Sequence, residues 1–138
     1  MAAYNRTGYA IDQVLSSDQA LPNANSGDST NIATLNVTKS GEITVVVCAG
    51  STQVELAGGN TLEIRPTVGL TAAAVTTVLP SILIKESVQS DVTWASGEVI
   101  CEFTIPKSLI GANRYLKLTY VTSADESADK VDAFITIG

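Results

Sequence analysis

Histidine is absent from this sequence of 138 residues. Its absence removes the side chain that most often serves as a general base in enzymes and that most often binds metal ions. Catalytic arrangements of the Ser-His-Asp and Cys-His types are therefore excluded within the chain.

Charged residues are also scarce, at 16% against about 25% in a typical domain. Lys and Arg number 8 while Asp and Glu number 14, so the net charge is −6. Nucleic-acid binding needs a basic surface that neutralises phosphates, and this balance argues against it. Ser, Thr, Asn and Gln replace the missing charges, which suits strands and a protein assembled on other molecules.

Long apolar runs are missing as well. No stretch of about 18 apolar residues is present, so the sequence predicts no membrane-spanning helix. The first residues lack the apolar core of a secretory signal, and we expect none. The length suits one domain with a buried core.

Cysteine occurs only twice, as Cys48 and Cys101, each within an apolar run. The pattern favours two buried free thiols that pack as small hydrophobic side chains. The alternative is one disulfide that joins two strands. The sequence alone leaves both open.

The clearest structural signal lies between Gly97 and Val121. Apolar and polar residues alternate there in two segments, as in strands with one buried face. One face of the first strand is expected to carry Val99, Cys101, Phe103 and Ile105, and one face of the second Leu116, Leu118 and Tyr120. Pro106 is expected to end the first strand, and Gly111-Ala112-Asn113 predicts the turn that follows.

The rest of the chain reads as an N-terminal arm followed by short strands. Residues 1–31 lack a steady period and predict an extended arm and loop, and residues 32–138 predict an antiparallel β-sandwich or barrel of about eight strands. Pro66 is expected to limit its strand, and residues 70–78 read as strand or loop. The remaining predicted strands are Ile32–Val37, Glu42–Cys48, Gln53–Leu56, Thr61–Arg65, Ser81–Lys85, Asp91–Ala95 and Val131–Ile137. Glu42–Cys48 is apolar on both faces, which is typical of a strand covered on both sides.

Three features were weighed as chemical sites. A calcium site at Asp125, Glu126, Asp129 and Asp132 is less favoured than a solvated acidic loop, because the EF-hand spacing is absent. Glu98 and Glu102 lie about 13 Å apart along a straight strand, too far for a glycosidase pair. Trp94 fits a partly buried core residue better than a sugar platform. We expect no catalytic residue, metal or cofactor.

A family resemblance runs through most of the chain from Ile11. It is strongest from Ile105-Pro106 through Arg114-Tyr115-Leu116-Lys117-Leu118-Thr119-Tyr120-Val121 to Ala133-Phe134-Ile135-Thr136. It also includes Leu15–Ala20, Ser29–Ile32, Ser40-Gly41-Glu42 and Gly58–Leu62. The chain resembles the small jelly-roll capsid cement (decoration) proteins of tailed bacteriophages.

That resemblance implies a jelly roll with a structural, non-enzymatic role. Such a protein is made in the host cytoplasm and lies on the outer surface of the virion capsid. It binds the major capsid protein and bridges neighbouring subunits as a homo-oligomer, a dimer or a trimer, without nucleic acid or membrane partners. The contact residues we predict are Tyr4, Arg6, Tyr9 and Ile11 in the arm, together with Arg114, which is equally compatible with a plain surface charge.

The alternative function is a carbohydrate-binding or tail-fibre β-sandwich module. It predicts a platform of exposed aromatic residues, and aromatics make up only 5% of the chain. An immunoglobulin-like domain is set aside because Trp94 lies next to Cys101 instead of near Cys48.

Overall fold

The computed structural model of the protein describes residues 11–35 and 42–136, with Ile11 described by its backbone only. These residues form one short helix and short to medium strands. The elements are β1 (Ile11–Ala20), β2 (Ser26–Asp28), β3 (Ala33–Thr34), β4 (Glu42–Ala49), β5 (Val54–Leu56), β6 (Leu62–Gly69), β7 (Thr77–Val78), β8 (Ile82–Lys85), β9 (Val92–Trp94), β10 (Val99–Pro106), α1 (Lys107–Ile110), β11 (Tyr115–Thr122) and β12 (Lys130–Thr136).

Two antiparallel sheets carry the fold. Sheet A has the order β1-β12-β4-β10, and sheet B has the order β2-β11-β6-β7, with β3 also paired to β11 and β8 to β6. Successive segments of the chain cross between the two sheets, except that β3 follows β2, and β7 and β8 follow β6, within sheet B; this order produces the jelly-roll topology. The fold class predicted from the sequence is therefore confirmed.

The predicted number of about eight strands was wrong, because the described residues form twelve. A jelly roll has eight strand positions. Two of them are each occupied here by two short strands: β2 and β3 share the position beside β11, and β7 and β8 share the position beside β6. The strands β5 and β9 form a separate pair outside the two sheets. Short broken strands give weak periodicity, so the sequence pattern did not separate them.

The core lies between the sheets and is built around β11. Its residues alternate as predicted, with Leu116, Leu118 and Tyr120 buried and Tyr115, Lys117 and Thr119 partly exposed. Strand β4 lies centrally in sheet A and is buried on both faces over most of its length. A second small cluster of Val46, Cys48 and Phe134 lies on the opposite face of sheet A.

The predicted face of β10 holds for three of its four residues. Cys101, Phe103 and Ile105 pack with the main core, whereas Val99 packs with the second cluster. The ladder to β4 shifts between Val99 and Cys101, where a β-bulge adds one residue. A bulge reverses the facing of every residue beyond it, so Val99 was assigned to the wrong face.

The expectation that Pro66 limits its strand was wrong, because β6 continues through Pro66 from Leu62 to Gly69. Pro66 lies opposite Leu118 of β11, whose backbone N–H and C=O bond to Ser29 on the far side. The Pro66 nitrogen therefore points away from β11, toward the gap between β7 and β8. No ladder donor is needed in that gap, which makes proline acceptable there.

Part of the predicted arm belongs to the sandwich. Residues 11–20 are extended, but they form edge strand β1, which pairs with β12 from Ile11↔Thr136 to Ala20↔Lys130. Three register shifts interrupt this ladder, and these explain why the sequence shows no steady period there. Residues 1–10 lie outside the described residues, so an arm there stays a prediction.

The two thiols are free, as the favoured interpretation predicted. Cys48 is buried in the second cluster, and Cys101 is half-buried on the core side of the neighbouring strand. Burial raises the pKa of Cys48 to about 11 and that of Cys101 to about 12. Neither thiol is therefore a ready nucleophile at neutral pH.

We expect Leu116→Ala to lower the free energy of unfolding by about 2–5 kcal/mol, because it opens a cavity beneath a fully buried side chain. Lys117→Ala on the same strand removes only an exposed ion pair to Asp28 and should cost about 0–1 kcal/mol. Urea denaturation of both variants measures the difference. Equal costs would contradict the facing of β11.

We expect both cysteines to react with Ellman's reagent in concentrated guanidinium without reductant. In the folded protein at pH 8 the reaction should be much slower, because the thiolate fraction is small and access is limited. A denatured chain that releases no thiol would contradict the free state and indicate a disulfide.

Candidate interaction surface

The chain crossings place unlike loops at the two ends of the sandwich. Strand β10 ends at Pro106 and β11 begins at Tyr115, so residues 107–114 cap one end. The segment 70–76 follows β6 at that same end, because Gly69 lies opposite Tyr115. Strand β1 also begins there. We call this the Arg114 end.

Arg114 is held by its backbone and leaves its side chain exposed. Its N–H donates to the Gly69 carbonyl at 2.9 Å, and its C=O accepts from the Leu35 N–H at 2.8 Å. These bonds fix the residue between two neighbouring segments. The guanidinium therefore projects from a rigid position, which lowers the entropy that a contact would cost.

The neighbouring loop is folded tightly over Gly69. A Cβ atom at that position would collide with the Ala74 carbonyl and come within 2.6 Å of the Val75 Cα. Val75 is buried and anchors the loop, while residues 71–74 are exposed. Glycine is required here because only hydrogen fits between the strand and its own loop.

Two of the six exposed large apolar side chains among the described residues lie at the Arg114 end. Leu70 is 60% exposed and Leu109 of α1 is 43% exposed, while the most exposed, Val88 at 87%, lies in the segment 86–98. The segments 70–76 and 107–114 carry two cations, Lys107 and Arg114, and no carboxylate. Exposed apolar residues together with rigid cations are typical of a protein contact surface.

The opposite end is strongly acidic, and we call it the acidic end. Its loops are 50–61, 86–98 and 123–129, together with 21–25. They contain no Lys or Arg. They hold seven of the fourteen carboxylates, namely Glu55, Glu86, Asp91, Glu98, Asp125, Glu126 and Asp129.

Lys85 ties the acidic end together from inside. It is fully buried, and its Nζ donates to the carbonyl oxygens of Asn60 at 2.8 Å, Gln89 at 3.1 Å and Glu86 at 3.3 Å. The Asn60 side chain in turn donates to Glu126 at 3.0 Å. A buried ammonium needs such partners, and here they join three loops.

Two of the four carboxylates predicted to form a solvated acidic loop are buried. Glu126 and Asp132 are 6% and 5% exposed, and Asp132 lies on β12, where it accepts from the Asp18 N–H at 2.6 Å. Burial raises the pKa of Glu126, and the neighbouring Asp129 raises it further; burial also raises the pKa of Asp129. Within the two described ranges, no group of three or more Cys, Asp or Glu side chains is arranged to hold a metal ion.

Two of the predicted contact residues can be placed. Ile11 begins β1 at the Arg114 end. Two residues further on, the Gln13 side chain bonds to both backbone groups of Thr34, and Thr34 pairs with Tyr115, the residue after Arg114. Tyr4, Arg6 and Tyr9 lie outside the described residues and immediately precede Ile11. Trp94 is half-buried and packs on the core.

Sequence reasoning missed Leu70, Leu109 and Lys107 as members of this surface. Lys107 and Leu109 fell in the connection between the two clear strands and were given no role, and Leu70 was read as strand or loop. The sequence did show one sign: Leu70 and Leu109 are apolar residues that fit no helix or strand period. A lone apolar residue of this kind does not reveal whether its side chain is exposed.

None of the helices in the described part of the chain is long and apolar enough to cross a membrane. No protein-family model matches the chain, and neither does any curated protein. A chain in the structure of infectious bursal disease virus, Gx strain, matches with a TM-score of 0.43 and 16% identity over 94% of this chain and 31% of that one. The Gt strain gives a TM-score of 0.37 and 15% identity over 93% and 29%. This chain thus spans about a third of theirs.

We expect Glu126→Gln to raise the free energy of unfolding at pH 7. Folding raises the pKa of Glu126, so its stabilising contribution is complete below the unfolded value of 4.5 and is lost as pH rises through the folded value. Gln stays neutral, accepts from Asn60 and donates to Asp129 at every pH. Urea denaturation should show a gain at pH 7 that shrinks toward pH 4.

Glu86→Gln provides the control, since Glu86 is an exposed carboxylate at the same end and should give no such trend. A Glu126→Gln protein that is less stable than the parent at pH 7 would contradict the raised pKa of Glu126.

Proposed function

We propose that this chain is a structural virion protein: a capsid cement protein that binds the outer surface of a phage head. In this proposal it contacts the major capsid protein through the Arg114 end and bridges neighbouring subunits. It acts by added contact area, without catalysis, cofactor or metal. The sequence resemblance of the strand from Arg114 to Val121 first indicated this role, and the fold is compatible with it.

The carrying observation is the contrast between the two ends. One end has exposed Leu70 and Leu109 in the loops that hold the fixed cation Arg114. The loops of the other end contain seven carboxylates, six of them at least partly exposed, and their Lys85 neighbour is buried. Because its two ends differ in this way, the protein has a defined orientation on a surface. The partner that fits the Arg114 end is a protein surface with apolar and acidic residues.

The predicted arm supports the same orientation. Strand β1 begins at the Arg114 end with Ile11, and residues 1–10 directly precede it in the sequence. Tyr4, Tyr9 and Arg6 belong to residue types that are enriched in interfaces. Several weak contacts to different subunits raise the overall affinity by effective concentration, which is how bridging stabilises a shell.

A carbohydrate-binding module is not favoured, because Trp94 is half-buried against the core and pairs within the short β5–β9 ladder. Its ring is therefore committed to packing instead of to a flat, open sugar platform.

The test is co-sedimentation with expanded shells of the source phage that lack this protein. We expect saturable binding that weakens at high salt, because the proposed contact includes charge pairs. Arg114→Glu should weaken binding roughly tenfold, and removal of residues 1–10 should weaken it further while the sandwich stays folded.

Glu86→Arg is the matched control, a charge reversal at the acidic end, and it should bind like the parent. Absence of binding by the parent protein would overturn the cement role. Equal binding by the parent and Arg114→Glu, together with a loss in Glu86→Arg, would overturn the orientation.

A further inference from the structure

The two long sides of the sandwich are built differently. On the β1 side, polar side chains join the sheets. Gln19 donates to the Asp28 carbonyl at 2.8 Å, and Asn31 donates to the Val14 carbonyl at 3.2 Å. On the β10 side, a groove of about 190 Å³ opens between the sheet edges. It is lined mainly by Pro66, Leu79, Pro80, Ile82, Phe103 and Leu109.

The edge of sheet A beside this groove is β10, which among the described residues pairs with β4 alone. From Cys101 to Pro106 its ladder is regular. Residues 101–105 contain no Lys and no Pro, the residues that commonly protect an edge. The other edge strand, β1, carries three register shifts. The β10 edge is therefore the one suited to accept another strand.

The charges along β10 favour a second copy of the same strand as that partner. Glu98 precedes the strand and Lys107 follows it, and both are exposed. In an antiparallel self-pair, the start of one strand meets the end of the other. Each Glu98 then lies near the partner's Lys107, twice in one symmetric contact.

We propose that two copies of this chain associate about a twofold axis by pairing their β10 strands edge to edge and antiparallel. We place the twofold axis at Phe103, so that the two Phe103 residues lie opposite each other and the regular part of β10 is paired along its length. An axis at Glu102 would instead place two carboxylates opposite each other. In the Phe103 register, Glu102 faces the partner's Thr104. The partner's Phe103 extends over the apolar groove and covers it.

This inference stands apart from the proposed function, because it concerns the protein in solution without shells. The two contacts share Lys107 and Leu109, but the dimer is tested at Thr104, which lies outside the 70–76 and 107–114 loops, so failure of one proposal is distinguished from failure of the other.

The test uses one exposed position with two opposite charges. Thr104 is exposed and, in the proposed register, lies opposite the partner's Glu102. Thr104→Lys should tighten the dimer roughly tenfold and Thr104→Glu should weaken it roughly tenfold, because each change occurs twice. Sedimentation equilibrium measures the dissociation constants, and circular dichroism checks that both variants are folded.

Thr93→Lys and Thr93→Glu are the controls, at an exposed position of β9, which pairs with β5 outside sheet A, and neither should change the dimer. A parent protein that remains a monomer at millimolar concentration would overturn the proposal. So would a dimer whose dissociation constant does not move in opposite directions with the two Thr104 variants.

Discussion

The buried hydroxyl of Tyr120 determines how the two sheets meet. Tyr120 lies on sheet B and is 1% exposed, so its hydroxyl needs a partner inside the protein. That partner is the Ser16 hydroxyl on sheet A at 2.8 Å, and Ser16 donates to Gln19 at 2.6 Å. Burial raises the pKa of Tyr120, which keeps it protonated. The chain of bonds holds β1 against sheet B despite its irregular ladder, and one side of the sandwich is closed by polar groups.

Because polar bonds close the β1 side of the sandwich, its groove and its two contrasting ends lie elsewhere. The far side keeps an apolar groove because β7 and β8 are short and separated by Pro80. The acidic end stays compact despite its like charges because Lys85 and Asn60 link its loops, and burial raises the pKa of Glu126, which favours its neutral form. The Arg114 end needs no such internal neutralisation in its two loops. Its cations and apolar residues remain available at the surface.

The sequence predicted the strands whose apolar and polar residues alternate regularly. It missed the features that depend on which strands become neighbours in the folded sheets. The strand from Tyr115 to Thr122 was clear because its period is unbroken. Strand β1 was hidden by its register shifts, and the facing of Val99 by a bulge. Pro66 misled because the gap opposite its nitrogen exists only in the folded sheet. The difference in charge between the two ends was hidden for the same reason, because the carboxylates of the acidic end are spread from Glu55 to Asp129 in the sequence. That Ile11 and Arg114 share one end also follows only from the topology.

The two proposals combine into one geometric consequence. Antiparallel pairing of β10 with its own copy turns the second sandwich end for end. In the proposed dimer, the two Arg114 ends therefore lie at opposite extremes, separated by at least the length of the paired strands, about 26 Å for eight residues. Each acidic end then lies beside the partner's Arg114 end, which reduces repulsion among the carboxylates. The two Arg114 ends of one dimer point in opposite directions, so a flat surface engages only one of them. Both engage at once only where two partner surfaces face each other across a gap of that length.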